Sequence, residues 1–121
     1  LPHTGKPLIG ASEIGQMRDG VVLINTARGG IIDENALVEG LATGKVGAAG
    51  LDVFATEPMP VDHPLLQFDQ VLMTPHIGGL TQDAAERMAM SSAENILDFF
   101  RGEIDHTLVV NREQIHAELK T

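Results

Sequence analysis

Cysteine is absent from this 121-residue chain, which excludes disulfides, thiolate nucleophiles and cysteine-ligated metal. Positive charge is scarce as well: eight lysines and arginines stand against 17 aspartates and glutamates, for a formal net charge of −9. That balance argues against a nucleic-acid partner, because phosphate binding needs clustered lysine and arginine. An anionic ligand must instead be drawn by a local charge. No apolar run approaches the roughly 20 residues of a membrane span, and no stretch reads as a signal peptide, so no membrane partner is expected and the cytosol is the default location. The five histidines, His3, His63, His76, His106 and His116, show neither H-x-x-x-H nor H-x-H spacing, and no metal site is expected. No G-x-G-x-x-G follows a strand anywhere, so the pyrophosphate-binding turn of dinucleotide folds is not among these residues. No internal repeat or low-complexity segment is present.

What the chain does contain is enough apolar residue, 43%, to bury the core of one domain. Three stretches repeat one design, a short apolar strand that runs into a polar loop and then a helix. The first is LINTARGGIIDENAL at 23–37, where the β-branched run 21–24 reads as a parallel strand covered on both faces. It is followed by Arg28, by Gly29 and Gly30, and by Asp33 as the N-cap of a helix over 34–43, with Gly44 at its C-terminal end. The second is a strand over 46–53 that ends in Asp52 and leads into FATEPMP, which carries Glu57. The third is a strand over 70–73 that ends in TPHIGG, with His76 ahead of Gly78 and Gly79. Parallel strands present their carboxyl ends on one edge of the sheet, so Arg28, Asp52, Glu57 and His76 are expected at one crevice.

Elsewhere Ser12 reads as the cap of a short helix through Met17, and Thr81 as the cap of a long helix to about Phe100. That helix carries a stripe of Ala85, Met88, Ser92, Ile96 and Phe99, expected to serve core or interdomain packing. Met59 to Pro64 reads as a proline-stiffened surface loop.

Taken in order, NTARGGIIDENAL, GLDVFATEP and LMTPHIGG resemble the second half of the coenzyme domain of the D-isomer-specific 2-hydroxyacid dehydrogenases, and the resemblance runs over nearly the whole chain. It implies an α/β fold, a Rossmann-like doubly wound parallel sheet present in part. Residues 1–100 would be the second half of that domain, and 101–121 a tail returning toward a substrate domain. Because the chain opens with leucine in mid-pattern, the first half of the coenzyme domain is expected upstream. The cofactor implied is NAD or NADP, the substrate a small 2-keto or 2-hydroxy acid, and the full-length assembly a homodimer. The alternative within the same resemblance is an NAD-binding regulatory protein of the co-repressor kind.

The chemistry of the residues fits those roles. A planar guanidinium at Arg28 can hold a carboxylate with two parallel hydrogen bonds. His76 can give and take the proton at the adjacent carbonyl oxygen, and Glu57, bonded to the far imidazole nitrogen, would fix its tautomer and favour its charged form. The resemblance assigns the same three positions to catalysis. It adds Pro2, Thr26, Ala27, Arg28, Asp52, His76, Gly78 and Gly79 as cofactor contacts, with Asp52 toward the nicotinamide carboxamide. Each position also has a plain structural reading: Arg28 paired with a neighbouring carboxylate, Asp52 capping a turn, Glu57 a solvated loop charge, His76 a satisfied residue at a helix start.

Overall fold

The computed structural model describes residues 5–112, so Pro2, His3 and His116 lie outside the described residues. The chain divides into two compact units, one up to Gly79 and one from Leu80. The sequence reading, with its boundary at residue 100, groups the long helix with the first unit; the contacts group it with the tail.

In the first unit, strands β1 (Val21–Asn25), β2 (Val46–Leu51) and β3 (Val71–Met73) form a parallel sheet in the order β1-β2-β3. Helices α1 (Ala11–Gln16) and α2 (Glu34–Ala42) complete it. Register follows the apolar pattern. Leu23 and Ala49 pair and point into the core, as do Asn25 and Leu51 beside them. Ile24, Gly50 and Leu72 lie side by side on the opposite face. That second face is open: Val22, Ile24 and Leu72 are each more than half exposed, so β1 alternates instead of being covered on both sides as its continuous apolar run suggests.

Asp33 caps α2 as expected, its carboxylate accepting from the amides of Asn35 and Ala36, and Gly44 follows the helix at φ +76°. The cap of α1 differs from the expected Ser12. The helix begins after Gly10, whose amide donates to the Glu13 carboxylate at 2.8 Å, which leaves Ser12 inside the first turn. Leu37 and Leu41 of α2 pack with Ile14 and Val46 into the core. Gly40 permits the approach, because a Cβ there would stand 2.8 Å from Val46 Cγ2. Truncating Leu37, which is fully buried, to alanine would cost about 2–5 kcal/mol.

The expected strand, loop and helix recur only twice. Between β2 and β3 no α-helix forms; a long loop with one 3-10 turn, Pro64–Gln67, makes the crossover, and its Leu65 is fully buried beneath it. Prolines at 58, 60 and 64 deprive this stretch of the amide donors a helix requires.

In the second unit, α3 (Gln82–Arg101) starts at Thr81, whose hydroxyl accepts from Ala84 N, and ends at Gly102 in the left-handed region. None of its residues is buried, so the apolar stripe expected to pack is exposed at Met88, Ile96 and Phe99. A 3-10 turn, His106–Leu108, follows. Among the described residues no helix is long and apolar enough to cross a membrane.

Candidate active site

The carboxyl ends of β1, β2 and β3 carry the loops that sequence singled out. Asn25, the last residue of β1 and 6% exposed, folds the first of them. Its Nδ2 donates to the Arg28 carbonyl at 2.9 Å, and its Oδ1 accepts from Ala27 N at 3.1 Å. Thr26, Ala27 and Arg28 are thereby presented at the surface. The Arg28 guanidinium donates to the Ala27 carbonyl at 2.7 Å, and among the described residues it forms no salt bridge. Its charge does reach the Glu57 carboxylate.

Glu57 hangs from the second loop. One carboxylate oxygen accepts from Phe54 N at 2.9 Å, and the other lies 2.8 Å from His76 Nδ1. The imidazole bond, then the Phe54 amide and, more weakly, the charges of His76 and Arg28 hold the Glu57 carboxyl below its ordinary range against the opposing effect of burial. An ionised carboxylate only accepts, so Nδ1 is the donor and Nε2 is free to face a ligand. Glu57 is therefore more than a solvated loop charge.

His76 has φ +55°, a left-handed conformation that a non-glycine residue adopts only when its surroundings impose it. What imposes it is Asp52. This residue, 3% exposed just past β2, accepts from Ile77 N at 2.9 Å and Gly78 N at 2.8 Å, and from the Thr74 hydroxyl. Those bonds, Thr74 first, lower its carboxyl below the ordinary value, with burial opposing. Asp52 thus clamps the His76 loop from both sides, much as its turn-capping reading has it. Its Oδ2 takes a single hydrogen bond. Gly78 fits closely at the clamp: a Cβ there would lie 2.9 Å from Asp52 Oδ2 and push that side chain aside. A Cβ at Gly79 would meet nothing within 4 Å, and the residue is exposed.

Gly29 joins the first two loops. A Cβ at this position would fall 1.8 Å from the Phe54 carbonyl oxygen, so the Arg28 loop lies directly on the backbone that holds Glu57. Beside the Glu57 and His76 pair is a pocket of about 340 Å³ with mainly apolar walls from Phe54, Met59, Met73 and Pro75. Arg28, Glu57 and His76 are thus brought to one edge together with Asp52, while Pro2 lies outside the described residues. Sequence reasoning did not single out Asn25 and Thr74; both follow the rule that polar residues at strand ends fold the loops beyond them.

A guanidinium, an imidazole and a carboxylate grouped at the carboxyl edge of a parallel sheet define an α/β protein of the coenzyme-binding kind, present here as a partial Rossmann-like sheet. Residues 1–78 match the NAD binding domain of the D-isomer specific 2-hydroxyacid dehydrogenases, and the chain belongs to that family. It is similar to a glyoxylate reductase of Aeropyrum pernix, 44% identical over 95% of this chain and 35% of that one. It also resembles a D-3-phosphoglycerate dehydrogenase of Archaeoglobus fulgidus, 47% identical over 78% of this chain and 18% of the relative. Among solved structures, a D-lactate dehydrogenase of Aquifex aeolicus complexed with NAD and lactic acid superposes with a TM-score of 0.74 at 32% identity, covering 85% of this chain and 35% of that one. The chain therefore spans about a third or less of the length of these relatives.

Proposed function

We propose that, within an enzyme of the relatives' full length, this chain supplies the catalytic edge of an NAD(P)-dependent oxidoreductase that interconverts a D-2-hydroxy acid and its 2-keto acid. The observation that carries the reading is the 2.8 Å contact between Glu57 and His76 Nδ1, with the Arg28 guanidinium, which forms no salt bridge among the described residues, at the same sheet edge. A reduced nicotinamide, when bound, supplies the hydride that adds to the keto carbon. Arg28 binds the substrate carboxylate through its two-pronged fork and so orients the neighbouring carbonyl. His76 gives the proton on Nε2 to the carbonyl oxygen as charge develops there, and it takes the proton back in the oxidative direction. Glu57 holds Nδ1–H and stabilises the imidazolium.

Thr26, Ala27, Gly78 and Gly79 line the nicotinamide side in this reading, with the spare acceptor capacity of Asp52 Oδ2 available to the carboxamide. The exposed, small-residue character of 26–27 and 78–79 suits close approach of a flat ring. Residues 1–100 act as part of the coenzyme domain, and the assembly is a cytosolic homodimer.

Reduction of a 2-keto acid such as glyoxylate, followed by loss of NADH absorbance in the intact enzyme, tests the assignment. Arg28→Ala should lower kcat/KM by at least about 1,000-fold, and Arg28→Lys should recover only part of the loss, because an ammonium keeps charge without the planar fork. Near-parental kcat/KM in Arg28→Ala would overturn the carboxylate-anchor role.

A further inference from the structure

The backbone at Phe54 and Ala55 is held at several points. Gly29 packs on the Phe54 carbonyl, and Phe54 N carries one oxygen of Glu57. Ala55 N donates to Glu34 Oε1 at 2.7 Å. The other Glu34 oxygen lies 3.2 Å from His63 Nε2, and His63 Nδ1 accepts from Leu65 N at 3.3 Å. Because Nδ1 accepts, the proton sits on Nε2 and is donated to Glu34. Both side chains are largely covered, at 19% and 16% exposure for Glu34 and His63.

A glutamate in the first turn of a helix needs no partner, since the helix dipole alone favours it there. Glu34 instead spends both oxygens on groups 21 and 29 residues away. We propose that Glu34 and His63 are positioning residues for the Arg28, Glu57 and His76 site, acting through the backbone at Phe54 and Ala55. This inference rests on the function proposed above. The pair fixes Ala55 N, and through the adjoining backbone the amide that holds Glu57 and the carbonyl on which the Arg28 loop rests. Displacements of about an ångström at a catalytic group cost on the order of 100-fold in rate, so the connection is worth keeping rigid.

A double-mutant cycle in the intact enzyme tests it, with kcat, KM and the pH profile of keto-acid reduction measured for Glu34→Gln, Glu57→Gln and the combination. Glutamine at 34 can satisfy Ala55 N or His63, but not both, since its amide nitrogen cannot accept. Glu34→Gln should lower kcat by about 10- to 100-fold and move the pH profile in the same direction as Glu57→Gln. It should add little once Glu57 is already glutamine. His63→Asn, which keeps an acceptor for Leu65 N without reaching Glu34, should give a smaller loss of the same kind, and it carries the cycle if Glu34→Gln does not fold.

Losses that multiply in the double variant would overturn the inference. So would a Glu34→Gln enzyme that loses only thermal stability, with kcat and pH profile intact. If Glu57→Gln itself leaves both unchanged, the reading of the site fails and this inference falls with it.

Discussion

Two carboxylates a few residues apart in sequence do different work because of what each one accepts. Glu57 accepts one imidazole N–H and one amide, and those bonds hold its own carboxyl below the ordinary range. Glu57→Gln exchanges an ionised acceptor at Nδ1–H for a neutral amide, so it should lower kcat in both directions and alter the pH dependence of each. Rate profiles recorded in both directions check this, and profiles that coincide with the parent's would remove Glu57 from proton transfer. Asp52 is held by Thr74, Gly78 and Ile77, all of which stabilise its ionised form. Its folded-state pKa is depressed, so its contribution to stability is complete above the ordinary value of 3.8 and disappears as pH falls through the lower folded-state value. Asp52→Asn places an amide donor against a backbone donor and loses that contribution at neutral pH. Denaturation midpoints of the two proteins should differ most near pH 7 and converge in acid below pH 3.8. A constant gap across this range would mean that the charge of Asp52 is not what clamps the loop.

At the scale of elements, sequence was most legible where the determinant is local. Asp33 and Thr81 cap their helices as their positions imply, and all three strands form where apolar runs end in polar residues. The start of α1 was not legible, because the Glu13 side chain reaches back to Gly10 and does the work that Ser12 offered. Nor was the pairing of Glu34 with His63, which exists only after β2 has turned the chain back over α2. The two faces of β1 could not be told apart from composition, since both carry β-branched residues and only neighbouring elements decide which is covered. Contact between loops is similarly invisible in one dimension. In sequence Gly29 marks only a place where a ligand or another backbone can come close; that the backbone is the one carrying Glu57 appears only in the fold. Gly29→Ala would force the two backbones apart and should cost about 3 kcal/mol or more, above the usual overpacking range because the obstacle is backbone. Activity should fall even where folding is rescued by low temperature. A variant with the parent's thermal midpoint and kcat/KM would show that the loops are not in contact.

At the scale of the molecule, what the 121 residues contain sets what they can do alone. No glycine-rich turn of the pyrophosphate-binding pattern is among them, so this chain offers a dinucleotide's phosphates no such turn. In the proposed reading the groups at the sheet edge, Ala27, Asp52, His76 and Gly78, meet only the nicotinamide end. Meanwhile Val22, Ile24 and Leu72 expose one face of the sheet, and Met88, Ile96, Phe99 and Phe100 expose apolar surface on α3. Surfaces of that character recruit partners or self-associate, and a net charge of −9 slows that association without removing its cause. The isolated chain should therefore bind NADH with a Kd above about 1 mM, turn over no keto acid, and run larger than its 12.9 kDa mass in solution. Calorimetric titration with NADH and light scattering read both outcomes on one sample. Micromolar binding by a stable monomer would mean that the coenzyme is held by contacts other than those at the carboxyl edge of β1, β2 and β3, and that the open sheet face needs no cover.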